Sequence, residues 1–195
     1  MDIIVHQSMA EIDANQWNNM LKSNNPFMRH EFLNGLELCA CVDLKSGWQP
    51  SHIAIYQDAS HKQLIAAMPC YIKQHSYGEY IFDWSWADAH HRYGQEYYPK
   101  LSNAIPFTPA SGERWLCAEG KEKQALTKAL LETALSISRD QDLSSFHSLF
   151  LNKQQYNDLD SEQFLLRHST QFHWQNKGDQ NFDDFLNLML SLIHI

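Results

Sequence analysis

Alternating apolar and polar residues predict strands in the first half of the chain. A short β-rich run covers residues 3–6, and two longer runs of strand character cover His52–Gln57 and Gln63–Ser76. A polar turn separates the two longer runs, so they predict a β-hairpin. Pro69 interrupts the alternation in the second run and predicts a bulge or an edge there.

Apolar residues at helical spacing predict several helices. The first follows Ser8, which with Glu11 has the spacing of a capping box, and its apolar stripe includes Trp17. The clearest helix runs from Lys121 to Arg139. The predicted helices cover residues 9–23, 29–41, 83–94 and 121–139, with a short helix or turn at 154–160 and an amphipathic helix at 181–190.

The second half adds strands between helices. They are predicted at residues 101–107, 114–117, 145–152 and 164–174. The resulting order, β-α-α-β-β-(α)-β-α-β-α-β, has antiparallel pairs early and a crossover helix later. It predicts a mixed α/β (α+β) protein with one central, mostly antiparallel sheet flanked by helices.

Composition restricts the class of protein. The 195 residues are enough for one full domain, 44% are apolar and the net charge is −8, so neither disorder nor a basic surface for DNA is indicated. The first residues carry no secretory signal, and no apolar run is long enough for a membrane span. We therefore expect a cytoplasmic protein. The spacing of the four cysteines and eleven histidines matches no metal motif, so no metal is expected.

One stretch, Tyr80 to Leu116, concentrates large aromatic and charged residues. Its aromatic residues are Trp84, Trp86, Tyr97, Tyr98 and Trp115, and its charged residues include Asp83, Asp88, Lys100 and Arg114. Aromatic rings with polar tips, set among charges, are typical of a lined pocket. Such residues also occur in ordinary cores, so both interpretations stay open at this point.

Several sequence blocks occur in one order along nearly the whole chain. They are NPFMRHEFLNGLE, GWQPSHIAIY, the stretch from EYIFDWSW to PFTPASGERWL, SSFHSLFLN and QFHWQNKGDQNFDDFL. Together they resemble the FemAB-like predicted N-acyltransferases, a bacterial group of the GNAT superfamily associated with peptidoglycan biosynthesis or recognition. The YYPKL to PFTP block and the FHW block are the most distinctive.

This resemblance implies a GNAT-like acyl-CoA N-acyltransferase fold. Residues 1–178 would form a first GNAT-like domain, and 179–195 would begin a second half that is cut short here, leaving a second GNAT-like half as a missing partner. The implied reaction passes an acyl or aminoacyl group from an acyl-CoA thioester or an aminoacyl-tRNA to an amine. The acceptor would be a small molecule or a cell-wall precursor. The alternative is a catalytically inactive half that binds such a precursor or a partner domain.

The resemblance also directs attention to particular residues. A GNAT enzyme holds the CoA thioester along splayed strands and its pyrophosphate on backbone N–H groups. The usual glycine-rich loop is missing, and the nearest substitute is formed by Thr108, Ser111, Gly112 and Arg114.

The expected catalytic residues are Asp83 and Asp88, with Glu79 as a further candidate base, and Tyr98 or Tyr97 as the proton donor to a thiolate. Lys100 would orient a carboxylate or phosphate. The remaining expected substrate contacts are Trp84, Trp86, Tyr97 and His173. The alternative for each carboxylate is a helix cap or a structural salt bridge, and for His173 it is a core position.

Overall fold

Two hydrogen-bonded sheets occupy the first of two compact units, Met1–Leu159, and the second unit is Asp160–Ile195. The computed structural model describes residues 1–81, 83–120, 122–159, 163–168, 170, 172–176 and 178–193, with backbone alone from 188 onward. The resemblance divides the chain after residue 178 instead, and that division stays an expectation.

The described residues of the first unit form eight strands. They are β1 (Asp2–His6), β2 (Trp48–Pro50), β3 (His52–Tyr56), β4 (Leu64–Met68), β5 (Tyr71–Lys73), β6 (Lys100–Asn103), β7 (Leu116–Cys117) and β8 (Phe146–Ser148). One sheet has the order β1-β3-β4-β7 and the other β2-β5-β6-β8, and every pair is antiparallel except β6 and β8. The predicted mixed α+β class with mostly antiparallel pairing is confirmed, but the prediction of one central sheet was wrong.

The predicted hairpin is confirmed, and it runs through both sheets. Its two long segments pair as β3 with β4 in one sheet and as β2 with β5 in the other. Between the two ladders, Ser51 N donates to Cys70 O at 2.8 Å. Pro69 has no N–H to donate, so the ladder is interrupted beside it and the hairpin divides between two sheets.

The helices largely follow the apolar periodicity. They are α1 (Ala14–Asn19), α2 (His30–Leu38), α3 (Trp84–Arg92), α4 (Lys123–Asp140), α5 (Lys153–Asn157) and, in the second unit, α6 (Phe182–Ile193). Helix α4 packs Leu126, Leu130 and Ala134 into the same core as Ile53 and Met68 of the first sheet. None of the described helices combines the length and apolar character needed to cross a bilayer.

The predicted capping box does not form. Ser8 accepts a hydrogen bond from Ala10 N and caps a 3-10 turn at Met9–Glu11, while Asp13 caps α1. The Glu11 carboxylate lies 2.9 Å from His6 Nδ1 instead of returning to Ser8. The single predicted helix is therefore two short helices, because Ser8 and Asp13 each cap a separate one.

The strand predicted at residues 164–174 was also wrong where the structure describes it. Residues 164–168, 170 and 172–174 have no regular secondary structure, and Leu165 and Phe172 are almost fully exposed. Alternating side chains stabilise a strand only when one face is buried, and none of the described residues of this segment is fully buried.

Candidate functional site

A buried cluster of charged side chains surrounds Lys100 at the start of β6. Its ammonium lies 2.7 Å from Asp83 Oδ2, 2.8 Å from Glu79 Oε2 and 2.9 Å from Ser76 Oγ. Asp83 directly precedes α3, and the other two residues lie in the connection between β5 and α3. Ser102, also on β6, donates to Glu79 Oε1 at 2.7 Å. We call these five residues the Lys100 cluster.

The charges of the Lys100 cluster do not cancel, because one ammonium faces two carboxylates. Burial alone would raise the pKa of Asp83, but the hydrogen bond and charge of Lys100, with the hydroxyls of Ser76 and Tyr97, hold that pKa below its ordinary value. Asp83 is therefore ionised at neutral pH. This environment makes it an anchor for Lys100 and a weak proton acceptor.

Two consecutive tyrosines meet the cluster in different ways. Tyr97 is buried and donates to Asp83 Oδ2 at 2.8 Å, and both burial and Asp83 raise its pKa far above the ordinary value. The Tyr98 hydroxyl is 2.8 Å from Ser76 Oγ, and its side chain is half-buried. Unlike Tyr97, Tyr98 is therefore only partly buried where it meets the cluster.

Asp83 also has an unsatisfied oxygen. Its Oδ2 receives three donors, from Lys100, Ser76 and Tyr97. Within the described residues, its Oδ1 is buried and has no hydrogen-bond partner. A buried carboxylate oxygen without a donor is costly.

A second lysine lies beside the cluster on the same face of the sheet. Lys73 pairs across the strands with both Trp48 and Lys100, and its Nζ lies 3.5 Å from the centre of the Trp48 ring. The same Nζ donates to Tyr77 O at 3.2 Å. Burial lowers the pKa of Lys73 to about 7; nearby Glu79 opposes this shift and Lys100 adds to it.

Helix α3 carries three of the predicted residues away from the cluster. Trp84, Trp86 and Asp88 are exposed on it, the first to 60% and the second to 40%. Every residue of α3 is at least partly exposed. Of the residues predicted in this stretch, the structure therefore brings together Asp83, Tyr97, Tyr98 and Lys100.

The turn that covers the cluster exposes aromatic rings. Tyr77 and Tyr80 are exposed to 71% and 54%, and Trp84 follows them. The hydrogen bond from Ser76 Oγ to Asp83 Oδ2, at 2.9 Å, closes the turn, so Tyr77 and Tyr80 lie on one short loop and Trp84 begins α3. We call these three exposed residues, which are close in sequence to the buried charges, the aromatic surface.

In the loop that was predicted to bind an anion, several polar groups are already hydrogen-bonded within the protein. Arg114 is fully buried, and its guanidinium donates to the carbonyls of Leu149, Glu113 and Ala110 at 2.6, 2.9 and 2.5 Å. Burial lowers the pKa of Arg114 to about 10. Gly112 N donates to Phe150 O at 3.0 Å.

The other two residues of that loop lie nearer its surface. Thr108 is half-buried and its hydroxyl donates to Pro106 O, whereas Ser111 is exposed. The structure therefore separates the four predicted residues: Arg114 and Gly112 hold the loop, Thr108 bonds within it from a half-buried position, and Ser111 is exposed.

The side chain of Gln155, on α5, makes the hydrogen bonds that a neighbouring strand would make to the segment just before β7. Its Oε1 accepts from Arg114 N at 2.7 Å, and its Nε2 donates to Trp115 O at 2.8 Å. The side-chain amide thus bonds to both backbone groups as a peptide would. The sequence contains no local signal for this contact, because the two segments are far apart in the chain.

A second buried pair joins Glu37 of α2 to His52 of β3. Glu37 Oε1 is 2.8 Å from His52 Nε2, while its Oε2 accepts from Ser8 Oγ and Met9 N. Cys70 N donates to His52 Nδ1 at 3.3 Å. Since Nδ1 accepts, Nε2 carries the proton and donates to Glu37, which fixes a neutral tautomer. Neither residue was singled out from the sequence.

In the second unit, His173 is exposed. A cavity of about 420 Å³ in that unit is lined by Trp174, Asn176, Asp179, Gln180, Asn181, Phe182 and Phe185. His173 is not among those residues. Across the described part of both units, no three His, Cys, Asp or Glu side chains are grouped to hold a metal ion.

Comparison with known proteins identifies a family. A profile of the FemAB-like family, described as peptidoglycan biosynthesis/recognition, matches residues 8–192. No curated protein and no solved structure matches the chain significantly. The matched range includes the Lys100 cluster, the aromatic surface and Gln155.

Proposed function

We propose, from the premise that this chain belongs to the FemAB-like family of peptidoglycan biosynthesis or recognition proteins, that it takes part in N-acyl transfer. In this proposal an acyl or aminoacyl group leaves an acyl-CoA thioester or an aminoacyl-tRNA and joins an amine. The amine belongs to a cell-wall precursor or a small molecule. We place the reaction in the cytoplasm, where both kinds of donor are made.

The observation that supports the proposal best is the Lys100 cluster with Tyr98 at its edge. Burying one ammonium and two carboxylates gives little net stability compared with apolar packing, because desolvation offsets the attraction. Such groupings are concentrated at functional sites. Tyr98 is the half-buried member of this network, so it is the group that we place against a reacting atom.

A GNAT-like arrangement of strands is part of the proposal. Strands β6 and β8 are parallel and are connected through α4, the kind of crossover along which a GNAT enzyme holds its thioester. Beyond Asn103, residues 104–111 leave the ladder, and the next parallel contact to the β8 segment is between Gly112 and Leu151. This departure supports a place where the two segments separate.

The remaining contacts are assigned by position. Thr108 and Ser111, which lie toward the surface, are our proposed contacts for a phosphate of the donor, and Arg114 and Gly112 keep the loop in shape. Trp84 and the neighbouring exposed tyrosines suit a cell-wall precursor, because aromatic faces pack against the C–H faces of sugars. Trp86, Asp88 and His173 stay predictions without an assigned atom.

A transfer assay tests the proposal. The chain is incubated with radiolabelled acetyl-CoA, or with labelled aminoacyl-tRNA, and a lysine-containing cell-wall peptide. Tyr98→Phe should reduce transfer at least tenfold, as expected when a hydrogen bond at the reacting atoms is lost. Tyr93→Phe is the matched control, since Tyr93 is 85% exposed and lies outside the cluster. Equal rates for both variants would contradict the proposed role.

A binding role without catalysis is the second candidate, and one observation favours it. The Gln155 side chain is hydrogen-bonded to Arg114 N and Trp115 O, and the Arg114 guanidinium donates to backbone carbonyls. Those groups are therefore not open to a ligand. If acetyl-CoA fails to raise the melting temperature while a cell-wall glycopeptide raises it, the binding role is supported and the transfer role is not.

A further inference from the structure

We infer that Tyr98 offers a ligand a hydrogen-bond acceptor, so that the ligand group facing it is an N–H or O–H donor, and that Ser76 imposes this direction. The inference rests on the proposed function for the identity of that group, which would be the acceptor amine. It concerns the direction of one hydrogen bond, and it follows from counting donors and acceptors in the Lys100 cluster.

The count begins at Lys100, whose ammonium can only donate. Its three protons have three partners within 2.9 Å, namely Glu79 Oε2, Asp83 Oδ2 and Ser76 Oγ. Ser76 therefore accepts from Lys100. The same Ser76 oxygen lies 2.9 Å from Asp83 Oδ2, which as an ionised carboxylate only accepts. The single proton of Ser76 is consequently directed at Asp83.

Ser76 then has no proton left for its third neighbour. The Tyr98 oxygen lies 2.8 Å from Ser76 Oγ, a distance at which one of the two must donate. Because the Ser76 proton is committed to Asp83, Tyr98 donates to Ser76. The phenolic proton points inward, and the Tyr98 oxygen has only lone pairs left for a further partner.

This direction changes the role expected for Tyr98. A thioester carbonyl or a departing thiolate needs a donor, and an inward-pointing proton does not serve either of them. An amine offers N–H groups, which the Tyr98 oxygen accepts, and that contact directs the nitrogen lone pair elsewhere, toward the acyl carbon. Tyr98 therefore belongs on the amine side of the reaction and not on the thiolate side.

The surroundings oppose a further step in which Tyr98 removes a proton from the amine. Passing a proton inward through Ser76 would protonate Asp83, whose pKa is already held low by Lys100. Tyr98 thus orients the amine without deprotonating it. Ser76 does not touch the ligand and is a positioning residue, acting through the direction of the Tyr98 proton.

Neutron diffraction of crystals exchanged into deuterium oxide tests the direction without any assay. The expected density places one deuteron on the line from the Tyr98 oxygen to Ser76 Oγ, and another from Ser76 Oγ to Asp83 Oδ2. A Tyr98 deuteron directed at solvent, with Ser76 donating to Tyr98, would overturn the inference whether or not the chain catalyses transfer.

Kinetics tests the ligand class, with the lysine-containing peptide as the amine and acetyl-CoA as the donor. Tyr98→Phe should raise the KM for the peptide roughly tenfold and leave the KM for acetyl-CoA unchanged. Ser76→Ala should do the same to a smaller extent, and Ser76→Thr, which keeps the hydroxyl, should restore the wild-type KM. A change confined to acetyl-CoA would sink the amine assignment. Complete absence of transfer would count against the proposed function, and the deuteron positions would still decide the direction.

Discussion

Lys100 and Asp83 form an ion pair of 2.7 Å in which neither side chain is exposed to solvent. Replacing Lys100 by Met should destabilise the fold by about 3–5 kcal/mol, because two carboxylates would stay buried without a counter-charge. Urea unfolding measures the loss.

Lys128→Met is the control for this substitution, since Lys128 is exposed and faces Glu132 at 3.7 Å on the surface of α4. Its effect should be far smaller. If both variants lose the same stability, the burial of the Lys100 pair has no energetic consequence.

Lys73 should make the fold more stable as the pH rises above about 7. Burial lowers the pKa of Lys73 to about 7, whereas an unfolded lysine titrates near ~10.4. Between these values the unfolded chain keeps a proton that the folded chain has released, so the free energy of unfolding increases with pH by up to about 1.4 kcal/mol per unit. Below pH 7 both states are protonated and this contribution is constant.

The measurement compares the wild type with Lys73→Met from pH 6 to pH 9. The wild type should show an additional positive slope above pH 7, while Met keeps the packing of the side-chain stem on Trp48. Parallel stability curves for the two proteins would show that Lys73 titrates normally in the fold.

Gln155→Ala should cost about 2–5 kcal/mol, because Arg114 N and Trp115 O would lose their partner inside the protein. Gln154→Ala provides the matched control, since Gln154 is the exposed neighbour on the same helix. Thermal unfolding measures both. Similar melting temperatures for the two variants would indicate that water replaces the lost amide at no cost.

Gly78 and Gly94 both have positive φ, but only Gly78 is crowded. A Cβ on Gly78 would lie 2.6 Å from Phe107 Cε1, while a Cβ on Gly94 would meet nothing within 4 Å. Both alanine variants bear the backbone strain, so the difference between them isolates the contact with Phe107. Gly78→Ala should lose roughly 1–3 kcal/mol more than Gly94→Ala in chemical denaturation. Equal losses would mean that the Phe107 ring moves aside freely.

Secondary structure could be predicted where it depends on local pattern. The helix at Lys123–Asp140 follows its apolar stripe, and the hairpin follows its alternation and the break at Pro69. The division into two sheets was not predictable, since it depends on which strands pair with each half of the hairpin. The strand expected at 164–174 fails for a related reason, because alternation alone does not supply a surface to pack against.

The candidate site was predictable to the extent that its members are close in sequence. Asp83, Tyr97, Tyr98 and Lys100 were selected from one stretch, and they do meet. Ser76, Ser102 and Lys73 were missed, because ordinary polar residues on strands and turns carry no signal of their own. Cross-strand pairing sets Lys73 beside Lys100, Ser102 lies on the same strand as Lys100, and Ser76 reaches the cluster from the connection after β5. The contact of Gln155 with Trp115 is longer-range still, and the contact of Glu37 with His52 likewise has no local signal in the sequence.

The hairpin from Trp48 to Lys73 contributes two strands to each sheet, β3 and β4 to one and β2 and β5 to the other. We therefore expect the two sheets to unfold as one cooperative unit. Opening the hydrogen bonds of one sheet would destabilise the other, so amide protons in both sheets should exchange with solvent at similar, slow rates.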